Sequence, residues 1–588
     1  MPGLTFAGRV IGWTLLAAIT APAQYLRGVN IAGAEFGDGV IPGIYGQHYT
    51  YNSEQTFDYF AARSLPFIRL QVRWERLQPA LRGPLDPVNL GYLKQDIAWA
   101  KAAGALVSID AHNYGRYKIN EQGTLKEYIL DNAYNGVVKV STADLTDFWV
   151  RMSNEFKNEP AVLAYDLMNE PHDMGSADWR RISQAVLNGV RANQDAKLIM
   201  IPGNSYSSAT AWPQVNGPSG WIIDPANNFY YEAHEYFDHD YSGGYAWSYD
   251  QELAANPQLA TIGRTRLKPF TDWCTANAVR CYLGEYGIPN NDVRWQTVLD
   301  QFLSALDAAG MPGTYWAAGE WWGTYPLSVQ PLGDFAIDRP QTRTLLGHLA
   351  PGAFTSISAA ADFGYAVAPG ALVSGYGAGL ASSIEAAASL PLTTRLRDTE
   401  VRLTDSNGAI SLAPLVLVSP GQINYQVPAG TPAGRVDAAV LRGGTPVASG
   451  VLEVRAIAPT IFSANYSGSG IAAAQVVRVK ADGTQIYENV AIYDSQQGKF
   501  VAVPVAFQND RLVLLLYGTG FATADAAHAA VTVGAVPLAV DYAGAQHQFP
   551  GLDQINAQLP VSLAGAGEVA VNVTVNGKAA NTVTVVFQ

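Results

Sequence analysis

The sequence predicts an α/β protein in which a (β/α)8 barrel is followed by two all-β sandwich domains. Two contrasts along the 588 residues support this division. All 13 tryptophans lie between Trp13 and Trp322, and in that part short apolar runs alternate with helical segments. Beyond about residue 350 the sequence consists of short alternating segments and turn residues without helical periodicity. Alternating strands and helices are typical of α/β folds, whereas serial strands are typical of sandwiches.

Residues 1–23 have the organisation of a secretory signal peptide. Arg9 provides positive charge, Val10–Ile19 is apolar, and Ala21–Ala23 is a small-residue cleavage site. The alternatives are a core strand or a short membrane anchor, although the run is too short to span a bilayer. We therefore expect a secreted, extracellular protein. In that compartment Cys274 and Cys281 either form a disulfide or remain buried thiols.

Residues 24–350 are predicted to form the barrel. Eight apolar runs rich in β-branched or aromatic residues alternate with helical segments, as the strands and helices of this fold do. The runs are Tyr25–Ile31, Pro66–Val72, Ala105–Asp110, Val162–Met168, Lys197–Pro202, Phe229–Ala233, Arg280–Glu285 and Gly313–Ala317. A doubly wound open sheet is the alternative. That fold usually carries a glycine-rich phosphate loop after an early strand, and the sequence has none there.

Residues 351–456 and 457–588 are predicted to be the two sandwiches because they contain an internal repeat. Gln422–Pro428 matches Gln554–Pro560 at five of seven positions, and a Tyr-Gly-x-Gly turn precedes each copy, at Tyr376–Gly379 and Tyr517–Gly520. Low charge, frequent turns and short alternating strands are typical of sandwich domains of this size.

The net charge of −13 excludes several classes of protein. An acidic chain has no electrostatic basis for binding nucleic acid or an anionic membrane surface. No apolar stretch is long enough for a transmembrane helix, and two cysteines are too few for a four-ligand zinc site. We expect a monomer that uses no cofactor.

Two glutamates follow strands of the predicted barrel and are the candidate catalytic residues. Barrel enzymes place their working residues at the carboxyl ends of the strands. The fourth run leads into Asn169-Glu170, and the seventh ends at Glu285. Glycosidic cleavage needs two facing carboxyl groups, with a gap near 5 Å for retention of configuration and a wider gap for inversion. The sequence leaves the gap open, and either glutamate alone is equally compatible with a salt-bridged surface carboxylate.

Other predicted strand ends add polar and aromatic side chains. Because sugars present hydroxyl edges and apolar ring faces, a site that binds them needs fixed hydrogen-bonding groups beside aromatic rings. Each residue alone also fits an ion pair, a core histidine or barrel packing, but together they point to one site. They are Arg69 in the second run, His112 and Asn113 after the third, His234 and Tyr236 after the sixth, and Trp316 in the eighth.

Residues 25–322 resemble glycoside hydrolase family 5, a family of retaining enzymes built on the (β/α)8 TIM barrel. The run Leu163–His172, L-A-Y-D-L-M-N-E-P-H, is similar to that family's signature around its acid/base. Four further segments are similar to the branch that holds fungal-type endo-β-1,4-glucanases: Gly28–Gly33, Asp110–Tyr114, Pro202–Asn204 and His234–Asp238.

The resemblance implies a role for each matching residue. Glu170 is implied to be the general acid/base and Glu285 the nucleophile. The implied substrate-binding residues are Arg69, His112, Asn113, Asn169, His234, Tyr236 and Trp316. Of these, Asn169 is implied to bind the 2-hydroxyl of the sugar, Arg69 and Tyr236 to position the nucleophile, and Trp316 to lie beneath the sugar ring.

Three other features are weaker candidates. Glu320 follows the eighth run and is a possible third carboxyl group in the barrel mouth. Asp238-His239-Asp240 offers oxygen and nitrogen ligands, but such clusters are usually solvated turns, and we expect no metal site. A serine hydrolase is disfavoured because no G-x-S-x-G motif is present, and Cys281 lies too early in its run to be a nucleophile.

The repeats resemble immunoglobulin-like C-terminal modules found on exported proteins of soil acidobacteria. That resemblance implies architecture and little about function. A carbohydrate-binding module is one interpretation, but this part of the chain has no tryptophan to offer a flat polysaccharide. A spacer or cell-surface attachment is the preferred interpretation.

The leading functional hypothesis is a secreted retaining endo-β-1,4-glucanase that cleaves cellulose or mixed-linkage β-glucan. Its partner is then the β-glucan polysaccharide. A β-mannanase or xyloglucanase of the same family is the alternative within the enzyme class. From other classes, the alternatives are a non-catalytic glycan-binding adhesin and a structural matrix protein organised by the repeats.

Overall fold

The structure is a computed structural model that describes residues 26–588 except 334, 336, 337, 361–365 and 496–498. The predicted signal peptide, residues 1–23, lies outside the described residues. Eight parallel strands close into a barrel in which each strand pairs with the next in sequence and the eighth pairs with the first. They are β1 (Arg27–Ile31), β2 (Phe67–Val72), β3 (Leu106–Ala111), β4 (Val162–Asp166), β5 (Leu198–Pro202), β6 (Phe229–His234), β7 (Cys281–Glu285) and β8 (Gly313–Ala318).

Helices connect the strands on the outside of the barrel. They are α1 (Glu54–Ala62), α2 (Trp74–Leu77), α3 (Pro87–Ala103), α4 (Thr142–Phe156), α5 (Trp179–Ala192), α6 (Trp212–Asn216), α7 (Tyr249–Ala255), α8 (Ile262–Ala276), α9 (Trp295–Ala308) and α10 (Pro340–Leu346). Local sequence fixes several ends. Helix α3 has Pro87 in its first turn, its cap residue Asp86 accepts from Asn89 N, and Gly104 follows in the left-handed conformation.

The connection after β3 contains two small hairpins that the sequence did not predict. One pairs Arg116–Glu121 with Thr124–Ile129, and the other pairs Ala133–Tyr134 with Val137–Val138. The strands of the first hairpin are mostly polar and partly exposed, and those of the second are only two residues long, so they lack the apolar pattern that marks the barrel strands.

The region after the barrel begins with two facing sheets. The ten strands are β9 (Phe354–Ser358), β10 (Ala366–Val367), β11 (Leu372–Gly377), β12 (Glu385–Ala386), β13 (Thr399–Thr404), β14 (Ile410–Leu412), β15 (Leu415–Val418), β16 (Gln422–Gln426), β17 (Gly434–Arg442) and β18 (Thr445–Val454). One sheet has the order β9-β11-β16-β15-β12 and the other β10-β18-β17-β13-β14. Val373 and Ile423 of the first sheet share a core with Val401 and Val440 of the second, which makes this region a β-sandwich.

A second pair of facing sheets ends the chain. Its strands are β19 (Thr460–Ile461), β20 (Ala474–Val479), β21 (Gln485–Asn489), β22 (Ala491–Asp494), β23 (Lys499–Ala502), β24 (Arg511–Thr519), β25 (Ala529–Val533), β26 (Val536–Leu538), β27 (Val540–Ala545), β28 (Asp553–Leu559), β29 (Gly567–Val575), β30 (Lys578–Ala579) and β31 (Val583–Phe587). One sheet has the order β21-β20-β24-β28-β27, the other contains β26-β25-β29-β30, and β22 pairs with β23. The predicted fold class, a barrel followed by all-β sandwiches, is confirmed.

The sequence repeat occupies equivalent positions in the two sandwiches. In the first, Tyr376 of β11 lies opposite Gln422 of β16. In the second, Tyr517 of β24 lies opposite Gln554 of β28. In both copies the glutamine side chain donates to the asparagine two residues later, at 2.8 Å and 2.7 Å. The repeat therefore encodes one strand pair twice.

Cys274 at the end of α8 and Cys281 at the start of β7 form a disulfide. The sequence left this pairing open, and the structure resolves it because the short connection returns the chain to the base of the barrel. No helix among the described residues is both long and apolar enough to cross a membrane.

Candidate active site

Arg69, on β2, is the centre of a polar cluster at the carboxyl end of the barrel. Its guanidinium is fully buried. Nη1 donates to Glu285 Oε1 at 2.8 Å and Nη2 donates to Asn169 Oδ1 at 3.0 Å. Burial opposes a buried cation, but the surrounding carboxylates outweigh it and raise the pKa of Arg69 well above its usual value. The arginine therefore carries a permanent positive charge beside Glu285.

Glu285, at the end of β7, is held at both of its oxygens. Besides the bond from Arg69, Tyr236 OH donates to Oε2 at 2.8 Å. Only 5% of the glutamate side chain is exposed. Burial, followed by the charge of Glu285, raises the pKa of Tyr236 well above its usual value, so the phenol remains a donor. The two hydrogen bonds, one to each oxygen, hold the Glu285 carboxyl group in one orientation.

Glu170 faces Glu285 across the mouth of the barrel. Its backbone has φ of 42°, a left-handed conformation that is uncommon outside glycine and often found at functional sites. The side chain is 16% exposed, and its Oε1 lies 2.8 Å from His234 Nδ1. One oxygen of Glu170, one nitrogen of His234 and one oxygen of Glu285 all lie within 4.8 Å of one another. The carboxyl groups of Glu170 and Glu285 are therefore close neighbours.

His234, at the end of β6, bridges the two glutamates. Its Nδ1 lies 3.6 Å from Glu285 Oε2 as well as 2.8 Å from Glu170 Oε1, and its Nε2 lies 3.3 Å from Glu232 Oε1. Burial alone would lower the pKa of His234, but the three carboxyl groups outweigh burial and raise it to about 10. The imidazolium then donates from both ring nitrogens.

Asn169 and His112 form a second pair beside the glutamates. Asn169 Nδ2 lies 3.3 Å from His112 Nε2, and His112 Nδ1 lies 2.7 Å from Asp110 Oδ2. Asp110 is fully buried at the end of β3. Because the carboxylate orients the imidazole, its other nitrogen is directed toward Asn169 and the cavity.

Trp316, near the end of β8, supplies the aromatic surface of the site. Its indole is only partly buried, lies nearly parallel to the His112 ring at 5.6 Å between centroids, and donates from Nε1 to Tyr325 OH at 3.2 Å. Trp322 packs edge-on against it at 5.8 Å. The ring is therefore fixed in place and partly exposed.

A cleft of about 660 Å³ extends from Glu170 and His234 along the ends of β5 and β6. Tyr206, Tyr236 and Tyr241 line it together with hydroxyl groups of serine and threonine. The Tyr206 ring stacks on His172 at 4.0 Å and 13°. Burial raises the pKa of Glu235 in this wall to about 7. The lining combines rings and hydrogen-bonding groups, which suits a sugar chain.

The structure joins the predicted site residues through direct contacts into one cluster around Glu170 and Glu285, and Asn113 is the exception. Its Oδ1 accepts from Trp74 N at 2.9 Å, and its Nδ2 donates to Glu75 Oε2 at 2.7 Å. The amide joins the segment after β3 to helix α2 and has no described contact with the carboxyl pair. The residues of this cluster are Arg69, His112, Asn169, Glu170, His234, Tyr236, Glu285 and Trp316.

The weaker candidates have local contacts instead. Glu320 accepts from Ser53 N and Thr56 Oγ1 at the start of α1. Asp238 accepts from the backbone of Gly243 and Tyr245. Among the described residues, the three-residue group with metal-ligand spacing is Glu170, His234 and Glu285, and no such group includes Asp238, His239 or Asp240.

Sequence reasoning missed the acidic groups beneath the site. Asp166 and Glu232 are fully buried in β4 and β6 and contact Arg69. Glu232 explains a nearby glycine, because a Cβ atom on Gly284 would lie 1.9 Å from Glu232 Oε1. The sequence did offer a signal for them: Asp166 and Glu232 each lie inside an otherwise apolar run. A charged side chain buried in such a run needs a partner of opposite charge.

Comparison with protein families and with characterised proteins gives consistent matches to the barrel. The family described as Cellulase (glycosyl hydrolase family 5) matches residues 24–321. Endo-β-1,4-glucanase B of Aspergillus niger is 32% identical over 307 residues, which are 52% of this chain and 84% of that protein. An endoglucanase of Neurospora crassa is 30% identical over 308 residues, which are 52% of this chain and 72% of that protein.

Solved structures also resemble part of the chain. An endoglucanase of Pseudomonas stutzeri is 36% identical, and the match covers 55% of this chain and 94% of that one with a TM-score of 0.49. An endo-β-1,4-glucanase of Xanthomonas axonopodis pv. citri is 34% identical, with 55% and 97% coverage and a TM-score of 0.48.

Proposed function

The chain belongs to the cellulase family, glycosyl hydrolase family 5, and from this premise we propose that it is a retaining endo-β-1,4-glucanase acting on cellulose or mixed-linkage β-glucan. Membership makes it a glycoside hydrolase. The observation that supports retention is the approach of Glu170 and Glu285, which have oxygens within 4.8 Å of each other. Retaining enzymes hold their carboxyl groups about 5–5.5 Å apart, whereas inverting enzymes leave room for a water.

In the first step Glu285 is the nucleophile and Glu170 the general acid. A Glu285 oxygen attacks the anomeric carbon, the glycosidic C–O bond breaks, and the Glu170 proton passes to the leaving oxygen. Arg69 and Tyr236 stabilise the charged form of Glu285 and aim it. Asn169 accepts from the same guanidinium that donates to Glu285; in this proposal it binds the 2-hydroxyl, and Trp316 underlies the sugar ring.

In the second step Glu170 is the general base. It takes a proton from water, the water oxygen attacks the anomeric carbon, and the bond to Glu285 breaks. The negative charge thus moves from Glu285 to Glu170 in the first half of the cycle and returns in the second. His234 lies beside both carboxyl groups, at 3.6 Å and 2.8 Å. A cation in that position stabilises the charge throughout without having to move.

The names of the relatives support the choice of substrate. Proteins about 30% identical over the barrel are endo-β-1,4-glucanases. The open cleft lined by Tyr206 and Tyr241 also fits a polymer better than a short sugar. A panel of barley β-glucan, carboxymethylcellulose, mannan and xyloglucan tests this proposal. We expect β-1,4-glucans to be the best substrates, and hydrolysis of mannan alone would contradict the glucanase assignment.

The variant Glu285→Gln tests the catalytic pair. Loss of the nucleophile is expected to lower kcat on β-glucan by at least about a thousandfold, while binding of cello-oligosaccharides persists. Glu320→Gln is the matched control, because Glu320 also lies at the carboxyl end of a barrel strand, β8, but accepts from Ser53 and Thr56 at α1, and it is expected to retain kcat within about threefold. Full turnover by Glu285→Gln would remove this residue from the mechanism and leave an unidentified nucleophile.

We also propose that the enzyme is secreted and acts as a monomer, with residues 24–350 as its catalytic domain. The signal-like composition of residues 1–23 and the disulfide between Cys274 and Cys281 support export. Residues 351–456 and 457–588 are proposed to be immunoglobulin-like modules that act as a spacer or surface attachment. Their facing sheets and repeated strand pair support this assignment.

A further inference from the structure

Three carboxyl groups besides Glu285 converge on the guanidinium of Arg69. Arg69 Nε lies 2.7 Å from Asp166 Oδ2 and 3.2 Å from Glu232 Oε1, and Nη2 lies 3.2 Å from Asp110 Oδ1. The side chains of Asp110, Asp166 and Glu232 are all 0% exposed. Asp166 and Glu232 therefore direct oxygens at the same N–H group.

The charges at this point do not balance if every carboxyl group is ionised. Asp110, Asp166, Glu232 and Glu285 would contribute four negative charges against the two positive charges of Arg69 and His234. Buried like charges within contact distance disfavour double ionisation, as in carboxyl pairs that share one proton. Among the described residues, Asp166 Oδ1 and Glu232 Oε2 have no hydrogen-bond partner, so no additional donor compensates the excess charge.

We propose that Asp166 and Glu232 hold one proton between them and act as a single monovalent acid that positions Arg69 and His234. Asp110 is excluded from the pair because it is already engaged by His112 at 2.7 Å. Glu285 is excluded because Arg69 and Tyr236 both donate to it. The proton therefore belongs to the two carboxyl groups that share Arg69 Nε.

The groups that face the pair agree with this assignment. Arg69 on β2 and His234 on β6 are the cations, and Asp110 on β3 and Glu285 on β7 are the neighbouring anions. Tyr282 on β7 is buried beside the pair, and its pKa is raised by burial and then by Glu232. For Asp166, burial and then the charge of Glu232 raise the pKa well above its usual value.

The role of the pair rests on the proposed function. Glu232 Oε1 contacts both Arg69 Nε and His234 Nε2, so the pair connects the group that stabilises Glu285 with the group that stabilises Glu170. A second charge on the pair would hold the His234 proton more tightly and compete with Glu285 for Arg69. One shared proton leaves both cations directed at the catalytic carboxyl groups.

Amide substitutions test how many negative charges Asp166 and Glu232 carry together. A neutral amide replaces a protonated acid without changing its shape, so Asp166→Asn and Glu232→Gln each leave one negative charge on the pair. We expect the alkaline limb of each single variant's pH profile to stay within about 0.3 unit of that of the native protein. The double variant removes a charge and is expected to move that limb about one unit lower.

Infrared difference spectra at about pH 9 give a readout that does not depend on catalysis. We expect each single variant to lack one carboxylic-acid carbonyl band of the native protein. Asp96→Asn is the matched control, since Asp96 is buried in helix α3, where it accepts from Asn52 N, and it must leave the pair's band in place. If a variant does not fold, ¹³C labelling of aspartate and glutamate carboxyl groups identifies the protonated pair in the native protein.

Two results would overturn the proposal. If each single variant moved the alkaline limb by about half the shift of the double variant, both groups would be ionised. Absence of a carbonyl band assignable to the pair would exclude the shared proton directly. A purely structural role would lower kcat without moving the limb or removing the band. Failure of the glucanase assignment would instead appear in the substrate panel and leave the infrared result unchanged.

Discussion

At the scale of single residues, the site is organised by two buried cations among carboxyl groups. Arg69 fixes Glu285, and His234 lies between Glu285 and Glu170. The sequence predicted that these residues meet, because parallel strands end at one face of a barrel. It did not predict Asp166 and Glu232 as partners, since which buried charges touch depends on the barrel's register and on side-chain direction.

The His234 pair with Glu170 predicts a pH dependence of stability. An unfolded histidine has a pKa near 6.5, whereas that of His234 is raised to about 10. The folded state thus holds a proton that the unfolded state releases. The stabilisation is complete below about pH 6.5 and is lost as the pH rises to about 10. We expect this window to contribute on the order of a few kcal/mol to the free energy of unfolding.

Urea unfolding of native protein and His234→Gln at pH values from about 6 to 10 measures this contribution. The native free energy of unfolding should fall more steeply with pH than that of the variant. His528→Gln, at an exposed histidine in the second sandwich, is the control and should follow the native curve. Parallel curves for native protein and His234→Gln would show that His234 holds no extra proton.

At the scale of elements, the sequence predicted the buried strands of the barrel but not the shorter or more exposed elements. The eight barrel strands were predicted because they are almost entirely buried and read as continuous apolar runs. The hairpins after β3 were not, because their strands are polar and partly exposed. The short helix α6 (Trp212–Asn216) was also invisible, since five residues do not establish a helical period.

The disulfide between α8 and β7 predicts a measurable loss of stability. Its two cysteines are seven positions apart, so the bond closes a short loop. Chain-entropy arguments assign such a loop about 2–3 kcal/mol. The variant Cys274→Ser/Cys281→Ser is expected to lower the free energy of unfolding by that amount while kcat changes less than about twofold, because the bond lies at the end of β7 opposite the site.

Denaturant unfolding of the native protein with and without reductant provides the comparison. Reduction should lower the free energy of unfolding of the native protein to that of the double serine variant. The free energy of unfolding of the variant itself should not change. Equal stability of oxidised and reduced native protein would contradict a stabilising bond.

At the scale of the whole molecule, the first sandwich is packed onto the barrel. Ile357 and Tyr376 of the sandwich belong to the same buried cluster as the barrel helices. Thr355 Oγ1 donates to Ala62 O at the end of α1. The second sandwich is joined to the first by the contact between Ser358 and Thr460. The sequence predicted the sandwiches from their repeat but not this packing, because the pattern of one strand does not specify its neighbour in another domain.

Ile357→Asp tests whether the barrel and first sandwich stabilise each other. Ile357 is 1% exposed, so the substitution buries an unpaired carboxylate at the interface and is expected to cost about 3 kcal/mol or more. Calorimetry should show the barrel transition at lower temperature or separated from that of the sandwich. Ile410→Asp, at a position 64% exposed in the same sandwich, is the control and should give the same calorimetric profile as the native protein. An unchanged profile for both variants would mean that the domains are energetically independent.

The stereochemistry of the first product tests the central claim, which is direct attack by Glu285 across the gap from Glu170. Proton NMR of cellopentaose hydrolysis, recorded before mutarotation, reports the anomer released. Carboxyl oxygens within 4.8 Å predict that the new reducing end forms first as the β-anomer. Initial release of the α-anomer would show inversion through an intervening water, and the catalytic account given for Glu170 and Glu285 would be wrong.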